Sequence, residues 1–501
     1  MRRDARPKVL RLLIAALLGG AVALGQAPWS LWWLALPTLA LLTRLIAVEP
    51  RLTRAGWLGW AGGTGYFAAG LFWIVEPFLV DVARHAWMAP FALIFMATGM
   101  ALFWALAGLV AALGRTAGAR ALGFALGLTA TDLLRSYVLT GFPWALAGHI
   151  WVGTPVAQAA TFAGPIGLTA ITAVATALPS VAAGWWGRFG LAGASMAILG
   201  GAWTFGAMRL ADDLPPRDPA IAVRLIQPNA AQHLKWRGDM WQVFLDRQLS
   251  QTAQPAKAPL DLIVWPETAV PFLLERSGGF MSEAVAASSG VPVAFGIQRA
   301  EGQRFFNSLA VADGKGRVFA VYDKWHLVPF GEYMPFGDWL ADIGITAFAA
   351  REGNGYTPGP GPRIMDLGKA GRVLPLICYE AVFPQDLRVG ASRADWILQV
   401  TNDSWFGNIA GPYQHLAQAR LRAIEQGLPL LRSANTGVTA VIDARGNIVE
   451  SLPLNSEGVI DAAVPPALAP TIYARTGDLP ATILVLLALW VLILRRRRQS
   501  D

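Results

Sequence analysis

The chain has 501 residues, of which 54% are hydrophobic and 15% are charged, and its mean hydropathy is +0.43. Soluble proteins average about 25% charged residues, so we expect much of this chain to lie in lipid. The net charge of +8 does not indicate nucleic acid binding, because the basic residues cluster beside apolar runs, as membrane topology signals do. The single cysteine, Cys378, excludes a fold held by internal disulfides.

Seven apolar runs precede residue 210, and an eighth lies near the C-terminus. Their lengths suit a bilayer core, which requires about 20 helical residues. The first run resembles a signal peptide, but the spans that follow it favour an uncleaved helix. The sequence therefore predicts eight transmembrane helices, near 9–25, 31–47, 56–75, 88–113, 119–138, 157–184, 188–208 and 479–494.

The distribution of Lys and Arg predicts the orientation, because these residues favour cytoplasmic loops. Basic residues cluster before the first span, after the second, fourth and sixth spans, and at 495–498, whereas the other loops hold Arg84 and little else. Both termini are therefore predicted to be cytoplasmic. The predicted domains are a membrane domain at 1–208, an extracytoplasmic domain at 209–478, and an eighth span with a basic tail at 479–501.

Asp132 and Arg135 stand three residues apart within the predicted fifth span. This spacing allows the two side chains to pair on one helix face. Charged residues inside a membrane are candidates for function. The alternative interpretation is a pair at the membrane interface that only orients the helix.

Residues 209–478 have shorter apolar runs, of 4–8 residues, separated by Gly, Pro, Asn and Asp. This pattern is typical of strands, and helical patterns intervene, one of them ending at Gly427. The mixture predicts one α/β domain of layered sheets and helices. The predicted strands lie in VRLIQPN, LDLIVWPET, VPVAFGIQ, FFNSLAVAD, RVFAVYDK, VLPLICYE, DWILQVTND and VTAVIDARGNIV.

Polar residues follow several of these predicted strands, namely Glu267, Lys324, Cys378, Asn402 and Asp403. Polar groups at strand ends can converge on one rim of a sheet, where α/β enzymes commonly bind ligands. Other catalytic signals are absent from the sequence: no nucleotide fingerprint follows a strand, no GxSxG elbow occurs, and the five histidines lack metal-ligand spacing.

A cysteine, a glutamate and a lysine together suit acyl transfer through a thioester. The thiolate is the nucleophile, and a nearby Lys324 favours it. Glu267 can take the thiol proton and later activate a second nucleophile, while Lys324 stabilises an oxyanion. Each residue also has a structural interpretation, with Cys378 as a buried thiol, Glu267 as a helix cap and Lys324 as a surface charge.

The segments that contain Glu267, Lys324 and Cys378 together resemble the nitrilase superfamily, whose triad is Glu–Lys–Cys in that chain order. The eight-span layout further resembles the apolipoprotein N-acyltransferase family of the bacterial cytoplasmic membrane. The resemblance covers essentially the whole chain. It rests on GFPW at 141–144, QPN at 227–229, WPET at 265–268, YDKWHLVPFGEYMPFG at 322–337, CYE at 378–380, TNDSWFG at 401–407 and QARLRAIEQGLPLLRSANTG at 418–437.

The resemblance implies an αββα sandwich and a ping-pong N-acyltransferase of the inner membrane, with its catalytic domain on the periplasmic side. It implies a phospholipid donor, a diacylated apolipoprotein acceptor, and no metal, cofactor or nucleic acid. In this scheme Cys378 is the nucleophile, Glu267 the general base and Lys324 the oxyanion-side partner. The residues that match supporting positions of the family's site are Trp236, Glu332, Tyr379 and Glu380.

The stretch 338–355 contains four large apolar residues in an expected loop, namely Trp339, Ile343, Ile345 and Phe348. We interpret it as a lid or arm that dips toward lipid, or alternatively as a helix packed on the domain. Two other functions fit parts of the sequence. A membrane-tethered nitrilase-type amidase acting on small C–N bonds needs fewer spans. A transporter would need more intramembrane charge and broken helices.

Overall fold

The computed structural model describes residues 8–235, 237–335, 355–389 and 393–497. The chain divides into two compact units. The helical unit comprises Met1–Asp213, Ile409–Gln426 and Pro470–Asp501, and the sheet unit comprises Leu214–Asn408 and Gly427–Ala469. The segment Ile409–Gln426 lies inside the predicted 209–478 domain along the chain, yet its contacts group it with the helical unit.

Thirteen α-helices occur in the described residues. They are α1 Val9–Ala23, α2 Trp32–Ala47, α3 Leu52–Gly70, α4 Val82–His85, α5 Ala89–Ala111, α6 Ala117–Arg135, α7 Ala160–Ala177, α8 Trp185–Ala211, α9 Trp241–Ala253, α10 Gly278–Ser288, α11 Gly411–Gln426, α12 Ile472–Thr476 and α13 Leu479–Arg497. Each of the eight predicted apolar runs overlaps one of these helices.

Three helical stretches in the described part of the chain are long and apolar enough to cross a membrane, namely Val82–Ala111, Pro155–Ser180 and Trp185–Ala211. Three shorter helices are also apolar, namely Val9–Ala23, Trp32–Ala47 and Leu479–Leu494. The helical architecture of this region is therefore confirmed, whereas the number of eight spans stays a prediction.

The predicted pair on α6 forms, with 3.0 Å between Arg135 Nη2 and Asp132 Oδ1 and both side chains 1% exposed. The guanidinium also donates to the backbone carbonyls of Phe142, Trp144 and Ala145. Asp132 Oδ2 accepts hydrogen bonds from Ala147 N and Thr169 Oγ1. The pair therefore lies inside the packed helical unit and ties the segment that follows α6, including GFPW, back to that helix.

Two six-stranded sheets form the sheet unit, with the orders β12-β1-β2-β3-β4-β5 and β11-β10-β9-β8-β7-β6. The strands are β1 Ala222–Gln227, β2 Leu262–Val264, β3 Val293–Glu301, β4 Arg304–Ala312, β5 Val318–Asp323, β6 Met365–Asp366, β7 Arg372–Ile377, β8 Trp396–Thr401, β9 Leu430–Ala434, β10 Thr439–Ile442, β11 Ile448–Leu452 and β12 Gly458–Ala463.

Strand direction brings the predicted polar residues to common edges. In the first sheet β2 and β3 are parallel, and β4 is antiparallel to both β3 and β5, so β5 runs in the same direction as β2. Glu267 and Lys324, which follow β2 and β5, therefore lie at one edge of this sheet. In the second sheet β7 and β8 are parallel, which places Cys378 and Asn402 at one edge of that sheet.

The two sheets face each other, and helices cover the first. Ser433 Oγ on β9 donates to the carbonyl of Ile226 on β1 at 2.9 Å. The outer face of the first sheet packs against α9 and α10 in a cluster that includes Leu245, Phe280, Ile263, Trp265 and Phe295. This helix–sheet–sheet arrangement matches three layers of the expected αββα sandwich. The helix between β8 and β9, α11, groups with the helical unit.

Each predicted strand segment contains a strand, with one correction. The run VTAVIDARGNIV, predicted as a single strand, is the hairpin of β10 and β11, which turns at Gly446 with a φ of 78°. Helix α11 ends at Gln426, and Gly427 follows with a φ of 62°, as the predicted helix stop requires.

Candidate active site

Cys378 stands on a strained turn directly after β7. Its φ is 51°, in the left-handed region that residues other than glycine rarely adopt. Its side chain is buried, and Gln399 Nε2 donates to its carbonyl at 3.1 Å. Strained backbone of this kind persists where the surrounding structure holds it, and it is frequent at functional sites.

Glu380 connects this turn through hydrogen bonds to the segment around the end of β5. Its Oε2 accepts from Ile377 N at 2.7 Å, within the turn itself. Its Oε1 accepts from three groups around the end of β5, namely Tyr322 Oη, Trp325 N and His326 N. One carboxylate therefore connects the chain around Cys378 with the chain around Lys324.

Lys324 is a buried ammonium shared by two carboxylates. Its Nζ lies 2.9 Å from Glu332 Oε1 and 3.4 Å from Glu267 Oε1. Asn307 Nδ2 donates to the same two oxygens, at 3.0 Å for Glu332 and 2.7 Å for Glu267. The other oxygen of Glu332 accepts from Val328 N at 2.9 Å. The arrangement places two negative groups against one positive group in a site closed to solvent.

Asn402 completes the support of Glu267. Its backbone N–H donates to Glu267 Oε2 at 2.8 Å, so both oxygens of that carboxylate have hydrogen-bond partners. Asp403, the next residue, forms a fully buried ion pair with Arg432 and accepts from Thr401 Oγ1. The sequence placed these two neighbours in one group, but the structure gives them separate hydrogen-bond partners.

Burial raises the pKa of the Cys378 thiol well above its ordinary value, and the charge of Glu267 raises this pKa further. The positive charge of Lys324 acts in the opposite direction and lowers it. For Lys324, burial alone would lower the pKa, but the charges of Glu332 and Glu267 outweigh burial and raise it. The resting site therefore holds a protonated thiol and a charged lysine. A thiol in this state needs a base when it attacks, and Glu267 is a buried carboxylate whose charge acts on it.

The family profiles for the apolipoprotein N-acyltransferase N-terminal domain and for carbon-nitrogen hydrolase match residues 18–178 and 222–473, respectively. A curated relative from Rhodopseudomonas palustris, named apolipoprotein N-acyltransferase, is 38% identical over 97% of this chain and 95% of its own length. A relative of the same name from Brucella melitensis is 37% identical over 98% of this chain and 97% of its own length. The chain belongs to the apolipoprotein N-acyltransferase family.

This membership makes the protein an acyltransferase of the bacterial inner membrane that uses a carbon-nitrogen hydrolase domain. It favours acyl transfer over the amidase alternative. Among solved structures, an amidase of the nitrilase superfamily from Nesterenkonia is 19% identical, with a TM-score of 0.36, and covers 51% of this chain and 94% of that one.

The structure brings six of the seven predicted site residues into the sheet unit as buried side chains, namely Glu267, Lys324, Glu332, Cys378, Tyr379 and Glu380. Tyr379 packs edge-to-face on Phe383, with ring centroids 4.9 Å apart. Phe383 in turn stacks on His326, whose Nδ1 lies 2.5 Å from Asp386 Oδ2. The seventh residue, Trp236, lies outside the described residues, as does the predicted lid at 338–355 apart from Gly355.

Sequence reasoning missed two polar residues that contact Glu267. Asn307 lies on β4, where it interrupts the apolar run FFNSLAVAD, and that interruption is the signal that could have identified it. Lys235 reaches the main chain of Glu267 from a loop that has no strand pattern. Its position next to Trp236 in the chain is the only local signal for it.

Proposed function

We propose that this enzyme transfers a fatty acyl chain from a membrane phospholipid to Cys378, and then to the N-terminal amino group of an S-diacylglyceryl-cysteine lipoprotein. The observation that supports the proposal most directly is the neighbourhood of Cys378. The only cysteine of the chain stands on a strained turn, and the charges of Lys324 and Glu267 both act on its thiol.

In the first half-reaction the sulfur of Cys378 attacks the carbonyl carbon of a phospholipid ester. Glu267 takes the thiol proton as the S–C bond forms, so no free thiolate needs to accumulate. Lys324 stabilises the negative charge that develops on the carbonyl oxygen. The C–O bond then breaks, Glu267 returns the proton to the departing glycerol oxygen, and lysophospholipid leaves the thioester behind.

In the second half-reaction the amino group of the lipoprotein attacks the thioester carbonyl. Glu267 takes a proton from the attacking nitrogen, and Lys324 again stabilises the oxyanion. The C–S bond breaks as the amide forms. The proton held by Glu267 passes to the departing sulfur, which restores the thiol of Cys378 and the carboxylate of Glu267.

The hydrogen bonds support different roles for the two supporting glutamates. Glu332 lies closer to Lys324 than Glu267 does, so it orients the ammonium and leaves Glu267 available as the base. Glu380 contacts backbone donors around the turn, so it shapes the backbone that presents Cys378.

The nature of the substrates explains the membrane helices. Moving an acyl chain from lipid into water costs about 0.8 kcal/mol per CH₂, so an enzyme held in the membrane avoids a large barrier. We place the sheet unit on the periplasmic side, with eight spans and both termini in the cytoplasm, because Lys and Arg cluster in alternate loops. C-terminal fusions test this placement: green fluorescent protein should fluoresce and alkaline phosphatase should stay inactive.

Mass spectrometry of the purified enzyme incubated with phospholipid alone tests the central step. We expect a fatty acyl adduct on Cys378 that hydroxylamine removes and that diacylated lipopeptide discharges to triacylated product. Cys378→Ser should lack the hydroxylamine-labile adduct. Full transferase activity in Cys378→Ser would refute the proposal, and discharge to water only would favour the amidase alternative.

A further inference from the structure

Lys235 is a second buried lysine beside Glu267, and it donates a hydrogen bond to the backbone carbonyl of that residue. The side chain is almost fully buried, with 4% of the residue exposed. Its Nζ lies 3.3 Å from the carbonyl oxygen of Glu267 and 3.2 Å from Thr268 Oγ1. One ammonium therefore holds two consecutive residues of the turn that follows β2.

This turn is strained. Thr268 has a φ of 44°, and a β-branched residue with positive φ is a genuine outlier. The turn also lies close against β3, because Ala269 N donates to Gly296 O at 2.8 Å and a Cβ at Gly296 would overlap the Cα of Glu267. Gly296 and Lys235 therefore both contact this turn.

The surroundings of Lys235 are mostly apolar. It lines a small pocket together with Trp241, Phe244 and several proline and alanine residues. Burial lowers the pKa of Lys235 to about 8, against the opposing charge of Glu267. A buried charge is costly unless it is paired and hydrogen-bonded. A methionine of similar length would avoid that cost but would lose both hydrogen bonds to the turn.

We propose that Lys235 is a positioning residue, which holds the strained Glu267–Thr268 turn so that the Glu267 carboxylate keeps its hydrogen bonds to Asn307 and Asn402. The inference rests on the proposed role of Glu267 as the base. Lys235 takes no proton in either half-reaction. It acts only through the position of Glu267, which determines how well that carboxylate takes and returns the proton.

A double-mutant cycle between Lys235→Met and Glu267→Gln tests this coupling. The readout is the rate of thioester formation on Cys378 with phospholipid in mixed micelles, measured by mass spectrometry at saturating and subsaturating lipid. Alkylation by iodoacetamide gives a second readout, because Cys378 is the only thiol. Lys257→Met is the matched control, because Lys257 is an exposed lysine of the same unit.

We expect Lys235→Met to lower the saturating rate about 10- to 100-fold with little change in KM, because a misplaced catalytic group loses rate and not substrate binding. In the Glu267→Gln background the same change should have no further effect. Thr268→Val removes only the hydroxyl that accepts a hydrogen bond from Lys235, so we expect a smaller loss of rate with the same dependence on Glu267. This variant replaces Lys235→Met in the test if Lys235→Met does not fold.

Equal losses in both backgrounds, or a change in KM alone, would overturn the inference. A wild-type rate in both Lys235→Met and Thr268→Val would also overturn the inference. If Glu267→Gln is inactive in the same assay, the proposed function still stands. If Glu267→Gln itself keeps the wild-type rate, the proposed base is wrong and the proposed function fails first.

Discussion

The two units each bury a cluster of charges, but the clusters are built differently. In the helical unit one cation, Arg135, pairs with one carboxylate, Asp132. In the sheet unit one cation, Lys324, is shared by two carboxylates, Glu267 and Glu332. The first cluster is a single ion pair, whereas in the second cluster one ammonium contacts two carboxylates at once.

The hydrogen-bond partners differ as well. Arg135 donates mainly to backbone carbonyls, so its cluster holds a segment of chain in place. Lys324 donates to side chains, and its charge acts on the thiol of Cys378. Burial of charge is therefore common to a structural cluster and to the cluster that we propose to be catalytic. What distinguishes the cluster around Lys324 is a second carboxylate, which we propose as the base, and a thiol whose pKa the cluster affects.

The largest effect that this comparison predicts follows from the loss of the proposed base, Glu267. Glu267→Gln keeps the shape of the side chain but removes the base, so thioester formation should fall by about 10²- to 10⁴-fold. The thermal unfolding midpoint should change little. Glu283→Gln, an exposed glutamate of the same unit, is the control for amide substitution. Retention of full activity would remove the distinction between the two clusters.

Loss of the Arg135–Asp132 pair should affect stability and leave the reaction unchanged. Arg135→Met leaves Asp132 buried without its cation, and such losses cost about 3–5 kcal/mol. We expect a lower unfolding midpoint in detergent micelles, with normal activity for each molecule that remains folded. Arg84→Met serves as the control, because Arg84 is exposed. A loss of turnover without a loss of stability would show that the buried pair takes part in the reaction.

A third prediction concerns Glu380, which connects the strand ends. Burial raises its pKa from the ordinary 4.5 to about 7. Because the folded protein then binds this proton more tightly than the unfolded chain does, the free energy of unfolding should fall as pH rises from about 4.5 to 7, by on the order of 3 kcal/mol. Glu380→Gln should remove that part of the pH dependence.

Thermal unfolding at pH 5 and pH 8 measures this difference, with wild-type enzyme and Glu283→Gln as references. The wild type should lose more stability than Glu380→Gln between the two pH values. An identical pH dependence in the two proteins would mean that Glu380 titrates in the folded state as it does in the unfolded chain.

The smallest predicted effect lies at the edge of the site. Asp386 holds the ring of His326, which stacks on Phe383 near the turn of Cys378. Both partners of this pair are partly exposed, so we expect Asp386→Asn to cost only ~1 kcal/mol, or about fivefold in rate. Turnover measured beside Asp246→Asn, an exposed aspartate, gives the comparison. A loss as large as that of Glu267→Gln would place His326 in the catalytic machinery.

Local patterns predicted most of the secondary structure and the residues of the site. Apolar runs indicated the helices, and short runs that end in polar residues indicated β2, β5, β7 and β8. The structure has the hairpin of β10 and β11 where the sequence predicts one strand, because ARGN forms a turn between the two apolar stretches. Grouping α11 with the helical unit was beyond prediction, because a helix between two strands carries no local sign of its packing partner.

The amino-acid sequence shows which groups are available for chemistry: one thiol, a lysine and a glutamate, each near the end of an apolar run. How these groups act together depends on the tertiary structure. Residues far apart in the chain combine to give the site its geometry. They produce the positive φ of Cys378, the sharing of Lys324 between two carboxylates, and the contacts of Asn307 and Lys235. Charge and hydrogen bonding act over a few ångströms in space, so only the folded chain determines which of these groups can exchange a proton.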